Sequence, residues 1–335
     1  MPYTKFAFFS YRCATVVNSE QGDINQFWPQ LGDTSDIARV INANRDWIEL
    51  VQSDDGKTRV LKTLIILDEA RRWVDDHYYG EPNTLKIFVI PEFYFRPPTA
   101  DIDDEKRYTE YDGYNIHLSL LRALDDPIFN HWVIVPGTVV STAQLSKTNF
   151  TTNIGILIEG GTNNYIRVAK HHTSGEDKVD SKFQGDDPNN FSLFEYKRYL
   201  IDNTDLFLSV GGKTFGLEIC KDYSEDLAVL KHTVADQKDQ PKNQEIVNGL
   251  DFHLLTAAGM NINPTAVAAK TNGYIFRLDG YKLLDSHLTL RKVERQVFED
   301  VYRYSKLRTD QYLKEAFYDV DSFGTKKMEA FLNTY

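Results

Sequence analysis

The sequence predicts an α/β protein, and three observations carry that assignment. Ile87 to Ile90 is a continuous apolar run with no polar face, as expected of an inner strand in a sheet covered on both sides. Phe215, Leu217 and Ile219 alternate with Thr214, Gly216, Glu218 and Cys220, which is the period of a strand. Two other stretches have helical spacing instead: Ile37, Val40, Ile41, Trp47, Ile48 and Val51, then Val60, Leu61, Leu64, Ile65, Trp73 and Val74. Strand and helix patterns alternate along the chain, the signature of a layered α/β architecture.

In chain order, Lys5 to Phe9 and Ala14 to Val17 read as a first strand, and 18–35 as loop. Thr34 or Ser35 opens the first helix, Asp54-Asp55-Gly56 breaks it, and Gly80 ends the second. The strand at 87–90 stops at Pro91, and Glu92 follows at once. Arg96 to Gly113 is a long charged loop carrying Asp101, Asp103, Asp104, Glu105, Glu110 and Asp112, either a lid or a solvated surface. A helix at Asn115 to Leu124 leads to a strand at Trp132 to Val135, interrupted by Pro136-Gly137 and resumed by Thr138 to Val140. Asn153 to Ile158 and Tyr165 to Lys170 form a hairpin around Gly160-Gly161. Leu206 to Val210 and Thr214 to Cys220 form the next, with Gly211-Gly212 at its tip. Asp222 lies three residues before Glu225, the spacing of a capping box, so a helix is expected over 224–235 with Leu227, Leu230 and Val234 on its apolar side. The stretches 52–85 and 235–249 are expected to be insertions, the second polar and exposed. Strands at Phe252 to Thr256, Gly273 to Leu278 and His287 to Leu290 follow, with a short helix at Thr265 to Lys270 between the first two. A helix marked by Val293, Val297, Phe298 and Val301 leads into a tail, 305–335, that keeps several aromatics. The expected division is a domain over 1–291 and a C-terminal helix and tail over 292–335, a candidate interface.

The chain has 335 residues, 41% hydrophobic and 26% charged, with a formal charge of −11. No basic block stands out, so nucleic acid and anionic membranes are not expected partners. No apolar run approaches the roughly 20 residues that span a bilayer, and the first residues lack a signal-peptide pattern. The two cysteines, Cys13 and Cys220, make no disulfide framework, so a reducing, cytoplasmic setting is the expectation. No Cys/His spacing typical of zinc occurs, and the adjacent His171-His172 is a poor metal clamp.

Three positions combine charge or nucleophilicity with a strand end. Glu92 follows the strand at 87–90, where catalytic residues of α/β proteins often sit, though a solvated or capping carboxylate has the same address. Lys170 shares a strand face with Ile166 and Val168, so its charge must find a carboxylate or a substrate oxygen unless it snorkels to solvent. Cys220 ends its strand on a sharp turn into a helix, where the helix dipole would ease ionisation; the alternative is a small buried hydrophobe.

The words around these positions resemble the nitrilase, or carbon–nitrogen hydrolase, superfamily. They are Ile-Phe-Val-Ile-Pro-Glu-Phe at 87–93, Arg-Val-Ala-Lys-His-His at 167–172 and Gly-Leu-Glu-Ile-Cys-Lys-Asp at 216–222. Weaker echoes are Gly137, Asn153, Phe183-Gln184-Gly185, Ala269-Lys270-Thr271-Asn272 and Asp279-Gly280, so the resemblance spans about residues 5 to 290. It implies a four-layer α-β-β-α sandwich, a Glu92-Lys170-Cys220 triad, and a homodimer or higher homo-oligomer built on the helix at 224–235 and the tail. It also implies a second carboxylate after the lysine. Glu176 is the nearest match, in a context, Thr173-Ser174-Gly175, that departs from the family's text.

The chemistry of the trio makes sense independently. A free thiol is mostly protonated at neutral pH. A carboxylate can take its proton, and an ammonium can stabilise the anion that results. Glu92 is then the general base and later the acid, and Cys220 the nucleophile. Lys170 and the backbone N–H of Lys221 would be the oxyanion donors. Such a reaction, hydrolysis of a small amide, carbamoyl compound or nitrile through a thioester, calls for no metal and no cofactor. Tyr94, two residues past Glu92, and Met260, in the loop after the 252–256 strand, are expected to wall the pocket or else to pack in the core. Two other readings stand beside this one: a Cys–His acyltransferase or thiol hydrolase with His171 or His172 as base, and a non-catalytic binding protein on the same fold.

Overall fold

The computed structural model describes residues 3, 5–11, 13, 15, 24–78, 83–98, 106–145, 148–172, 207–237, 245–281, 288–292, 314–319 and 327–334. The elements in order are β1 (Lys5–Tyr11), α1 (Asp36–Ala43), α2 (Arg45–Glu49), α3 (Asp54–Tyr78), β2 (Thr84–Val89), α4 (Glu110–Leu124), β3 (Trp132–Val135), β4 (Thr138–Leu145), β5 (Thr148–Glu159), β6 (Tyr165–Ala169), β7 (Leu208–Val210), β8 (Lys213–Ile219), α5 (Val229–Gln237), β9 (Leu250–Ala257), β10 (Ala269–Asp279), β11 (Leu288–Lys292), β12 (Lys314–Asp319) and β13 (Lys327–Thr334).

Among the described residues the strands form two sheets. The first runs β12-β13-β1-β2-β3-β5-β4, with β6 also on β5; the second runs β11-β10-β9-β8-β7. The centre of each is parallel, β1-β2-β3 in one and β8-β9-β10 in the other, so their strands are apolar on both faces. Three cores follow from that. Phe6, Phe8, Leu85, Ile87, Val89, Val133 and Leu157 of the first sheet pack against Phe215, Leu217, Phe252, Leu254, Tyr274 and Phe276 of the second. Phe215, Phe252 and Tyr274 stack in sequence across three neighbouring strands, with centroids 4.5 and 5.6 Å apart. Alternate residues of the first sheet, Ala7, Phe9, Phe88, Ile90, Ile134 and Ile156, bury the apolar faces of α1 to α4. The outer face of the second sheet carries Leu255, Ala257 and Ile275 against Tyr223 and Ala266, and Leu250 against Leu230 and Val234 of α5. The layering is helix, sheet, sheet, helix.

The helices start where their caps allow. Ser35 caps α1, its hydroxyl accepting from Ala38 N at 3.3 Å, and Thr109 caps α4 by accepting from Asp112 N at 3.0 Å. Asp112 does more: its carboxylate accepts from Gln52 N at 2.6 Å and Ser53 N at 3.2 Å, and it is buried. The charged stretch expected as a lid or a solvated surface therefore ends in a buried structural carboxylate, and Glu110 opens α4; residues 99–105 lie outside the described residues.

The helix expected from Val60 to Val74 is α3, 25 residues long with Leu61, Leu64 and Leu67 fully buried, and it leads into β2. Three further expectations are corrected. Within 235–249, Ile246 is a core residue, while 238–244 lie outside the described residues. Thr265 to Lys270 is not helical beyond the 3-10 turn Pro264–Ala266, and Lys270 belongs to β10. The helix after Cys220 begins at Val229, not 224, because Cys220–Tyr223 forms a 3-10 turn that Ser224 ends. The helix expected around Val293 to Val301 lies outside the described residues. The tail contributes β12 and β13, and β13 pairs antiparallel with β1 over its full length, Lys5 opposite Thr334 to Tyr11 opposite Met328.

Candidate active site

Glu92 sits in the turn that leaves β2. Ile90 N still bonds Val135 O at 2.8 Å, then the chain turns sharply: Phe93 has φ of 62°, its N–H donating to Thr138 Oγ1 at 2.9 Å, and Phe95 N bonds Thr138 O at 3.0 Å. Gly137 makes room for this turn. Its φ is 94°, and a Cβ there would lie 2.8 Å from Tyr94 Cβ and 2.9 Å from Pro91 O. From the helix layer, the buried Arg59 of α3 donates to Tyr94 O at 2.8 Å and to Asp55 Oδ2 at 2.8 Å, and the Tyr108 hydroxyl donates to the same carboxylate. The backbone around Glu92 is thus held from β3–β4 on one side and α3 on the other.

Lys170 follows β6, whose Ile166 and Val168 face the inter-sheet core as the alternation requires. Its Nζ lies 2.9 Å from Glu92 Oε1, with the two side chains 2% and 0% exposed. Asn153 of β5 ties the pair together: its Nδ2 donates to Glu92 Oε1 at 2.9 Å, and its backbone O accepts from Lys170 N at 2.9 Å. A buried ion pair persists only when further hydrogen bonds surround it, and Asn153 supplies one of them.

Cys220 ends β8 with φ of 47°, in the left-handed region that costs a non-glycine residue roughly 1–2 kcal/mol. Its side chain is buried beside both partners. Burial pushes the thiol well above its ordinary value, and the Glu92 carboxylate, within hydrogen-bonding reach, pushes the same way. Lys170 and the backbone N–H of Ala258 pull it back only in part. The expectation that a helix dipole would ease ionisation is therefore corrected. A 3-10 turn of four residues replaces the helix, and desolvation dominates, so the resting thiol keeps its proton.

Asp222 is not a helix cap. Its buried carboxylate reaches back to the residues that follow Lys170: Oδ2 accepts from His171 N at 2.7 Å, and Oδ1 accepts from His172 N at 2.8 Å and lies 3.0 Å from His172 Nδ1. That engages one nitrogen of the His172 ring. Phe93 packs with Val140, Ala258 and Tyr281, and its ring lies 5.6 Å from both the Lys170 ammonium and the Arg96 guanidinium. The loop bearing Ala258 is fixed by Asp279, whose carboxylate accepts from Gly259 N at 2.9 Å and Tyr281 N at 2.9 Å.

The structure thus brings Glu92, Lys170 and Cys220 together, though they come from three strands in two sheets. Lys221 lies in the 3-10 turn after the thiol, half-buried. Tyr94 is placed in the sheet–helix core, edge-on to Tyr11 at 5.9 Å and under Arg59. Met260 packs on the outer core of the second sheet. Glu176 lies outside the described residues. In the sequence Asn153 stands only among the weaker echoes of the family, and nothing there assigns Phe93 to the site or pairs Asp222 with His171 and His172. Among the described residues, no group of three or more His, Cys, Asp or Glu side chains is arranged to hold a metal ion, and no helix is long and apolar enough to cross a membrane.

No family model and no curated protein matches the sequence. Among solved structures the chain is similar to that of Saccharomyces cerevisiae Nit3, described as a member of branch 10 of the nitrilase superfamily. That match has 12% identity and a TM-score of 0.40, over 92% of this chain and 97% of the other.

Proposed function

We propose that this protein is a cysteine-dependent hydrolase of a non-peptide carbon–nitrogen bond and a divergent member of the nitrilase superfamily. The observation that carries the reading is the buried Glu92–Lys170 pair, 2.9 Å apart, with the Cys220 thiol in its field at a strained strand end. A buried carboxylate and ammonium that served only the fold would have no need of a thiol beside them.

The protonated resting thiol makes Glu92 the base. As the sulfur attacks the substrate carbon, Glu92 takes its proton, and a thiolate never accumulates. Negative charge moves to the substrate oxygen or nitrogen, where the Lys170 ammonium and the Lys221 backbone N–H stabilise it; one such donor is worth roughly 3–4 kcal/mol in other enzymes. Glu92 then protonates the leaving amine. The thioester is cleaved by a water whose proton Glu92 accepts, and the sulfur recovers its proton. Phe93, Val140, Ala258 and Tyr281 form the apolar side of this site, so the acyl part of the substrate carries an apolar group. Glu176 is assigned as auxiliary carboxylate by the sequence resemblance alone. A homodimer through α5 and the tail is part of the same proposal. A Cys–His mechanism is the weaker reading, because the groups that act on the Cys220 thiol are Glu92, Lys170 and the Ala258 N–H, with neither histidine among them.

The test is ammonia release from a panel of small amides, carbamoyl compounds and nitriles. At least one amide or nitrile is expected to be turned over by wild type and by no preparation of Cys220→Ala; hydrolysis retained in the purified variant would sink the assignment.

A further inference from the structure

Two of the three candidate catalytic groups reach the site on segments joined by no strand pairing of their own. Lys170 lies just beyond the last β5–β6 pair, Ile154 with Ala169, in the first sheet; Cys220 lies just beyond the last β8–β9 pair, Ile219 with Thr256, in the second. Their separation is therefore set by whatever ties the two sheets together at this end. Beside the packing of Phe93 and Val140 on Ala258 and Tyr281, a side chain does so by hydrogen bonds. We propose that Asp222 is the positioning residue that holds the Lys170 segment against the Cys220 turn, and so fixes the ammonium relative to the sulfur.

The geometry is specific. Asp222 is two residues past the nucleophile, in the same 3-10 turn, with its side chain 3% exposed. Its two oxygens take His171 N, His172 N and His172 Nδ1, at 2.7, 2.8 and 3.0 Å. The first two donors are the peptide N–H groups that immediately follow Lys170. On the other side, Lys170 N is held by Asn153 O. The lysine is clamped between a link to the Glu92 strand layer and a link to the nucleophile turn. The contact to Nδ1 requires the proton on that nitrogen, which leaves Nε2 of a neutral ring toward the exposed side; His172 is 40% exposed. Charge-assisted bonds to a buried carboxylate are about twice as strong as neutral ones. Rate is steep in position, and about 1 Å of misplacement can cost roughly 100-fold.

The inference rests on the hydrolase reading for its kinetic arm but not for its chemical one. In the kinetic arm, Asp222→Ala is expected to lower kcat about 100-fold on the best amide of the panel while KM changes less than about threefold. Asp222→Asn keeps one acceptor oxygen but turns an N–H toward His171 N–H, and is expected to fall between wild type and Asp222→Ala. The chemical arm needs no substrate: the rate at which iodoacetamide alkylates Cys220, read from the mass of its peptide, is followed against pH. If Asp222 seats Lys170 beside the sulfur, both variants lose part of the ammonium's pull on the thiol, so Cys220 reacts more slowly than wild type throughout the pH range in which the thiol is mostly protonated. If Asp222 only stabilises the fold, the loosened site opens to the reagent and Cys220 reacts faster or at the same rate. That outcome, or a wild-type kcat in folded Asp222→Asn, overturns the proposal while leaving the hydrolase reading intact. Hydrolysis retained by Cys220→Ala would remove the reading instead, and the alkylation arm would still decide the role of Asp222.

Discussion

Two of the buried pairs between a carboxylate and a nitrogen base, Glu218–His253 in the second sheet and Glu92–Lys170 at strand ends of the first, are built alike but connected differently. Glu218 Oε2 lies 3.0 Å from His253 Nε2, with side chains 2% and 0% exposed; Glu92 Oε1 lies 2.9 Å from Lys170 Nζ, with equal burial. The first pair is closed on the fold. The second oxygen of Glu218 accepts from Leu230 N at 3.0 Å, near the start of α5. His253 Nδ1 accepts from Ala268 N at 3.1 Å, so its proton sits on Nε2, facing Glu218. Tyr223 covers the ring edge-on at 5.3 Å. Every one of these partners is structural, and together they pin α5 and the 264–268 turn to the second sheet. Around the second pair the neighbours are a side-chain amide, an aromatic face and a thiol on a strained turn. The lesson is that a buried ion pair does not announce a reaction; the chemistry of its remaining neighbours does.

This contrast is broken most sharply by making the same substitution in both pairs. Glu92→Gln removes the base and is expected to lower turnover by about 10³-fold or more, within the range general-base removal spans, and it also costs stability because the Lys170 ammonium is left buried without its counter-charge. Lys170→Ala is expected to cost about 10²–10³-fold in kcat, and Lys170→Arg not to restore it, since a planar guanidinium cannot replace a point ammonium in a site this closed. Wild-type rates in Lys170→Arg would show that only the charge matters. Glu218→Gln should cost stability too but spare turnover. It leaves an N–H facing His253 Nε2–H, so chemical denaturation should show a loss of ~2–4 kcal/mol while turnover stays within about tenfold. If the two Glu→Gln variants behave alike, the distinction between the pairs fails.

The smallest expected effect concerns a buried ionisable group outside both pairs. His117 of α4 is held neutral, its pKa pushed down to about 3 by burial and then by Arg167. Its folded value lies below the unfolded one, so between about pH 3 and 6.5 the unfolded chain binds a proton that the folded one refuses. The stability this represents is present above pH 6.5 and drains away as the pH falls toward 3. His117→Gln should flatten the acid limb of the stability curve over that window without touching activity at neutral pH. An unchanged slope in urea titrations at pH 4 to 6 would contradict this.

Much of this arrangement was legible in the sequence, and the reasons are local. Glu92, Lys170 and Cys220 each end a strand whose pattern stands out, and a charge or thiol at such an end is visible without knowing its partners. Asp222 was not legible in the same way. Its nearest sequence neighbours make it look like a helix cap, while its real partners, His171 and His172, are about 50 positions earlier and in the other sheet. Tyr94 and Phe93 differ by one residue, yet the positive φ at Phe93 sends one ring to the site and the other to the sheet–helix core, which no periodicity shows. Helix α3 was legible from the spacing of Val60, Leu61, Leu64, Ile65, Trp73 and Val74, although it is also dense in charge, with Asp68, Arg71, Arg72 and Asp75 pairing with each other along the helix. For α5 the apolar spacing of Leu230 and Val234 was read correctly, but the 3-10 turn after Cys220 displaced its start.

The central claim is that the sulfur of Cys220 forms a covalent bond to the substrate's acyl carbon beside the Glu92–Lys170 pair. The most direct measurement is acid quenching of wild-type protein during turnover of the best amide from the panel, followed by peptide mapping by mass spectrometry. The expected result is an acyl adduct on the peptide containing Cys220, released again as the substrate is exhausted, and no adduct in Cys220→Ala. An adduct on another residue, or continued product release by Cys220→Ala at the wild-type rate, would contradict the account.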